Sequence, residues 1–211
     1  MHSSPIYDFA KRIFDLLVVL VTLPVWMPLM LIGIFIVLVV SPGNPFYSSR
    51  RVGRYGKDIS ILKIRSMVKN ADQIGSGVTT LGDSRIIPLG RMLRLTKIDE
   101  MPQFFSVLSG QISIVGPRPE LREFVDQYGA EERKIILSVK PGIIDYGTLA
   151  FSDLQRSLAA DGKENENEIL EKLLERKKQL RLQYVSERSM LKDFSILVRT
   201  PVAMLKAMVQ K

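Results

Sequence analysis

The sequence contains no cysteine and one histidine, His2, which stands in the terminal residues. The first absence excludes disulfide frameworks, thiolate metal sites and cysteine nucleophiles, and agrees with a reducing compartment. The second counts against Ser-His-Asp chemistry. A nucleophile or general base must therefore be a carboxylate, Lys, Tyr or Ser/Thr.

Charge is missing altogether from Leu16 to Val40, and acids are scarce from there to residue 98. Over the 211 residues the net charge is +8, and all of it falls between residues 41 and 98, where eleven bases face Asp58, Asp72 and Asp83 alone. The segments on either side are balanced. That local excess points to an anionic partner: phosphates, a lipid surface or nucleic acid.

The uncharged run is long enough, at about 1.5 Å per helical residue, to cross a hydrocarbon core of about 30 Å. It exceeds the apolar region of a signal peptide and lacks a small-x-small cleavage site. Pro24 and Pro28 fall in its first half, where each removes a backbone hydrogen bond, so a kink or break is expected near Pro24. Lys11 and Arg12 precede the run and Arg50, Arg51 and Arg54 follow it, and the positive-inside bias favours the cytoplasmic side for both flanks. A broken helix that enters and leaves by one face satisfies both flanks; an ordinary span satisfies one. The residues alone leave both open.

The chain divides by composition into a membrane segment, 1–40, and a remainder, 41–211. Ser41 to Pro45 is a turn cluster. Pro45–Ser48 and Ser60–Ile64 read as short strands, with Lys63 and Arg65 on one face. Residues 75–83, GSGVTTLGD, read as a connecting loop, because no βαβ unit surrounds the glycines. Glu164–Arg188 reads as a charged packing helix with an apolar stripe from Ile169 to Leu174. Phe194–Met208, with Pro201 inside it, has the composition of an interfacial helix.

The richest stretch is Arg91–Glu120. Arg94 lies on a helix beginning near Pro88, and Asp99 and Glu100 follow it. Arg94 and Asp99 point about 140° apart in a continuous helix, so they converge only if the helix breaks around Thr96 and Lys97. Pro102 supports that break. Asp99 could equally serve as a cap for the helix Pro102–Leu108. Gln111–Val115 reads as a strand whose exit, Pro117-Arg118-Pro119, holds one guanidinium with little freedom. Lys140-Pro141-Gly142 makes a second tight turn.

In this order Lys63-Ile-Arg65-Ser-Met67, Arg94 with Asp99-Glu100-Met-Pro-Gln103, Ser113-Ile-Val-Gly-Pro-Arg-Pro119 and Lys140-Pro-Gly142 resemble the bacterial sugar transferases, the monotopic phosphoglycosyl transferases. The resemblance runs from about Lys11 to Arg199 and looks like the small form of the family. It implies an α-rich α/β monotopic protein with a re-entrant membrane helix broken at Pro24, a small mixed-strand core and interfacial amphipathic helices. It further implies transfer of a sugar 1-phosphate from a UDP-sugar to undecaprenyl phosphate with release of UMP. That step initiates glycoconjugate assembly at the cytoplasmic face of the bacterial inner membrane. By this resemblance Asp99 is the nucleophile and holds Mg²⁺, Glu100 assists the second half-reaction, and Lys63, Arg94 and Arg118 handle phosphate or nucleotide.

The chain departs from the family pattern at Leu23, where Ser often precedes the proline, and at Ile144-Asp145. Membrane lipid is an expected partner, and room is left for a homo-oligomer. Two alternatives stand beside this reading. One is the same reaction by direct attack of the lipid phosphate; the other is a membrane-anchored binder of anionic lipid or nucleic acid. Nucleic acid has little support, since only Tyr47 and Tyr55 could stack near the basic segment, and no nucleic-acid partner is expected.

Overall fold

Helix α1 spans Pro5–Val40 without interruption in the computed structural model, which describes residues 5–71, 83–149 and 166–209. Both prolines lie inside it. Pro24 and Pro28 cannot donate, which frees the carbonyls of Leu20 and Pro24 from their usual partners. Side chains supply donors to the preceding turn: Thr22 Oγ1 donates to Val18 O at 2.6 Å and Trp26 Nε1 to Val19 O at 3.0 Å. The prolines thus alter the hydrogen bonding of α1 without ending the helix.

One stripe of α1 is buried: Asp15, Val19, Trp26, Met30, Gly33 and Val37. Their spacing of three, four or seven residues puts them on one helical face. The opposite face, including Val21, Val25 and Phe35, is open, as expected for a surface that meets lipid rather than water. The buried face belongs to the main core, which it shares with Ile61, Ile64, Leu93, Val107, Ile114 and Val115.

After the turn at Ser41–Pro45 come β1 (Phe46–Val52) and β2 (Asp58–Ile64), an antiparallel hairpin. Tyr47 stands opposite Lys63, Ser49 opposite Ile61 and Arg51 opposite Ile59, so these six share one face. The strand ends at Ile64, which corrects the expectation that Lys63 and Arg65 act together. Arg65 is buried and donates to the carbonyl of Ser41, tying the hairpin to the end of α1. Residues 75–82 of the expected loop lie outside the described residues.

Helix α2 (Gly90–Leu95) leads through a single 3₁₀ turn at Ile98–Glu100 to α3 (Gln103–Leu108). Strand β3 (Ser113–Val115) then pairs in parallel with β4 (Gly142–Ile144), with α4 (Arg122–Val125) and α5 (Ala130–Ile136) between them. Gly116 and Gly142 permit this pairing: a Cβ on Gly116 would lie 2.7 Å from Lys140 O, and one on Gly142 would lie 2.1 Å from Gly116 N. Helices α6 (Glu166–Glu187) and α7 (Met190–Val209) complete the described chain. The side chains of Ile169, Leu170, Leu173 and Met208, named in the expected stripes, lie outside the described residues. Helix α7 continues through Pro201 and leaves Leu191, Phe194, Val198, Val202 and Leu205 exposed along one side.

Asp193 locks the root of α1 to α6 and α7. Its fully buried carboxylate accepts from Tyr7 Oη, Lys11 Nζ and Tyr184 Oη, each at 2.8 Å. Replacing it strands a buried cation and two hydroxyls. Asp193→Ala is expected to cost about 3 kcal/mol, read as a lower unfolding temperature in detergent together with faster amide exchange in the first turns of α1.

Candidate active site

The site is built where α2 stops. Thr96 ends the helix, and Lys97 takes a left-handed conformation, φ 59°. This turns the chain so that Asp99 and Glu100 sit in the short 3₁₀ turn and face inward; both are buried. A non-glycine residue in that conformation is disfavoured, so the surrounding contacts must hold it. Among them, Lys97 Nζ lies 3.9 Å from Glu100 Oε1.

Glu100 is the point where three chain segments meet. Besides Lys97, its Oε1 accepts from Lys63 Nζ of β2 at 3.2 Å and from the Arg118 guanidinium of the Pro-Arg-Pro turn. Burial alone would raise its pKa, but Arg118, Lys63 and Lys97 outweigh it and hold the carboxyl far below the usual range. Arg118 is fixed in turn: its second terminal nitrogen donates to Ile143 O at 2.7 Å, and its backbone N–H to Asp145 Oδ2 at 3.4 Å. Asp145 also accepts from the backbone and hydroxyl of Thr148, at 2.8 and 2.9 Å. The departure at Ile144-Asp145 therefore steadies Arg118 from behind.

Asp99 is the opposite case. Its Oδ1 is buried without any hydrogen-bond partner. Burial, and then repulsion from Glu100, push its carboxyl up to about 6, against the pull of Lys63, Lys97 and Arg94. An Asp99 cap on α3 is not found, since the cap position, Pro102, makes no side-chain cap bond. Close by, Gln103 Nε2 is a second buried polar atom without a partner. A buried acceptor and a buried donor left unsatisfied in adjoining elements are costly unless something else binds there.

The apolar surroundings come from the membrane helix. Trp26 packs against Phe104 and Phe105 of α3, with ring centroids 5.1 and 5.4 Å apart. A Cβ on Gly33 would lie 2.7 Å from the Ile98 side chain and 2.9 Å from that of Ile64. Helix α1 thus runs directly beneath the carboxylate turn.

A family model described as bacterial sugar transferase matches residues 6–207. The chain belongs to the bacterial sugar transferase family. Among curated relatives, the UDP-N-acetylgalactosamine-undecaprenyl-phosphate N-acetylgalactosaminephosphotransferase of Aeromonas hydrophila is 39% identical over 75% of this chain and 37% of its own length. A putative undecaprenyl-phosphate N-acetylgalactosaminyl 1-phosphate transferase of Bacillus subtilis is 35% identical over 59% of this chain and 70% of its own. The UDP-glucose:undecaprenyl-phosphate glucose-1-phosphate transferase of Caulobacter vibrioides is 28% identical over 94% and 70%. The chain thus spans little more than a third of the Aeromonas relative.

In this bacterial sugar transferase, Lys63, Asp99, Glu100 and Arg118 come together. Arg94, at the end of α2, acts on Asp99 through its charge and makes no hydrogen bond or ion pair among the described residues. Two more cations stand beside the expected site residues. Lys97 joins through its left-handed turn. Arg51 stands on the hairpin face of Lys63, and its side chain makes one hydrogen bond among the described residues, from Nε to Ser49 Oγ at 3.0 Å. Burial, reinforced by nearby Arg118, lowers its pKa in spite of Tyr47, Glu120 and Glu100. The alternation Tyr47, Ser49, Arg51 was the available signal, but only the strand register places Arg51, opposite Ile59, on the same hairpin face as Lys63.

The paired carboxylates should respond oppositely to neutralisation. The Asp99 pKa is higher folded than unfolded, so its ionisation at neutral pH weighs against the fold. Asp99→Asn is expected to raise stability at pH 7 by about 1–3 kcal/mol. That gain should vanish below about pH 4, where the aspartate is neutral in both states. Glu100→Gln leaves Arg118 and Lys63 uncompensated and should lose about 3 kcal/mol. Thermal unfolding of both variants at pH 7 and pH 4 checks the signs.

Proposed function

We propose that this chain transfers a sugar 1-phosphate from a UDP-sugar to undecaprenyl phosphate, releasing UMP, by way of a phosphoglycosyl-Asp99 intermediate. The observation that carries this reading is the contrast between adjacent carboxylates: Glu100 is saturated by cations, whereas Asp99 Oδ1 is buried, unpartnered and near-neutral in pKa. Environments that push two such groups apart assign them different tasks. The relatives' names support the donor and acceptor classes, and they differ in the sugar.

Asp99 attacks the β-phosphorus of the donor. The new bond joins a carboxylate oxygen to phosphorus, and the bond from phosphorus to the bridging oxygen breaks, so UMP leaves with the electron pair. An oxygen of undecaprenyl phosphate then attacks the same phosphorus and expels the carboxylate. Arg118, Lys63, Lys97, Arg94 and Arg51 offset the phosphate charge. A phosphate that draws Arg118 and Lys63 from Glu100 raises the Glu100 pKa, which makes Glu100 a base for the second step.

Among the described residues no cluster of three metal-ligating side chains occurs. The residues nevertheless fit Mg²⁺ held as it usually is beside phosphates, by one carboxylate together with substrate oxygens, and Asp99 Oδ1 is an acceptor left open for it. When bound, the ion would neutralise charge on the diphosphate.

The site lies against α1, so a lipid-borne phosphate reaches it from the bilayer surface. We read α1 as re-entrant at Pro24, with both flanks at the cytoplasmic face of the inner membrane. Support comes from the positive flanks and from the two prolines inside the uncharged run. The exposed stripe of α7 is read as resting at the interface.

UMP release by detergent-extracted protein given Mg²⁺, undecaprenyl phosphate and a panel of UDP-sugars is expected for the wild type and lost in Asp99→Asn. Without acceptor, labelled donor should leave label on the wild-type protein. Turnover without trapped label would favour direct attack by the lipid phosphate; no turnover from folded protein would favour the binder. Because the Asp99 carboxyl must be ionised, kcat/KM should fall as pH drops through about 6. Arg51→Gln should raise the donor KM about tenfold with a smaller effect on kcat.

A further inference from the structure

A second charged cavity, of about 110 Å³, lies at the root of α1 and shares none of the residues that hold Asp99 and Glu100. Its volume is several times the share of one water molecule, about 30 Å³. Five cations line it: Lys11, Arg12, Arg54, Lys140 and Arg188. The nearby acids are already engaged. Asp8 pairs with Arg54 at 3.6 Å. Asp15 accepts from Ser113 Oγ and the Ile114 amide, at 3.0 and 3.1 Å, with Lys11 at 3.9 Å. Asp193 takes Lys11, Tyr7 and Tyr184.

Three cations remain without a carboxylate in ion-pair range among the described residues. Arg12 donates to Val107 O and Leu108 O, at 2.6 and 2.7 Å, which caps the end of α3 but leaves its charge uncancelled. Arg188 lies over the Tyr7 ring, 5.5 Å from its centroid. Lys140, half-buried, approaches the Arg12 guanidinium: a Cβ built on Gly110 would be 3.6 Å from both Arg12 Cζ and Lys140 Nζ. Burial and then Arg12 lower the Lys140 pKa. Like charges gathered at a polar cavity are relieved by an anion.

We infer that this cavity, between the start of α1, the Lys140 turn and the end of α6, is a binding site for a phosphate group. A tetrahedral oxyanion could accept hydrogen bonds from Lys140 and Arg188, bridging chain segments far apart in sequence. Its source is either a phospholipid headgroup, since the uncharged run begins one residue after Asp15, or free phosphate. The inference does not rest on the proposed transferase reaction.

The test uses the full chain in neutral detergent, titrated with inorganic phosphate or dihexanoyl phosphatidylglycerol at constant ionic strength, with unfolding temperature as the readout. Wild type is compared with Lys140→Gln, Arg188→Gln and Arg118→Gln, the last reporting phosphate held near Asp99. Binding about fivefold weaker for each cation removed, in both Lys140→Gln and Arg188→Gln, supports the site. The lipid binding more tightly than phosphate assigns the headgroup as the source, and equal affinity assigns free phosphate. A response lost only in Arg118→Gln, or reproduced by chloride, overturns the inference. Should Lys140→Gln fail to fold, Arg188→Gln, whose side chain stacks at the cavity edge, decides alone.

Discussion

Everything at the candidate site depends on how the Glu100 charge is neutralised. A buried carboxylate is tolerated only when cations and hydrogen bonds replace its water, and here they come from three places: the hairpin, the Lys97 turn and the Pro-Arg-Pro turn. Satisfying Glu100 fixes the relative positions of those segments. It also concentrates the cations on one carboxylate, so its neighbour keeps an open lone pair and a pKa near neutrality. A single electrostatic requirement thus yields an ion-paired carboxylate and an open one side by side.

The second constraint is apolar. Helix α1 would be a plain anchor if its inner face were uniform, but that face carries Gly33 and Trp26 where it passes the site. The missing side chain at Gly33 lets Ile98 and Ile64 close onto the helix, and the indole fills the space against α3. The position of the carboxylates relative to α1 is therefore set by packing.

Much of this was legible in the sequence. The uncharged run, the strand ends at Ile64 and Val115, the break after Arg94 and the rigid Arg118 turn follow from composition, proline geometry and periodicity. So did the grouping of Lys63, Asp99, Glu100 and Arg118, though only through the ordered set of motifs, because each residue taken alone has an ordinary surface reading. What could not be read was register and direction. Arg51 and Lys63 share a face only once the hairpin pairing is known. Arg65, one residue beyond the strand, has the same local pattern yet turns inward to Ser41. Lys97 owes its place to a backbone conformation that a lysine does not advertise. The division between the two carboxylates arises from cations up to 37 residues away in the chain, which no local window contains.

Because α1 supplies one wall of the core, the order of synthesis has a structural consequence. The helix precedes the other described elements in the chain and is the element that lipid can accept. Trp26, Met30 and Val37 then wait for Ile64, Leu93 and Val107 to be translated. The later segments pack on the inner face of α1, so the carboxylate turn reaches its final shape only when that face is in place.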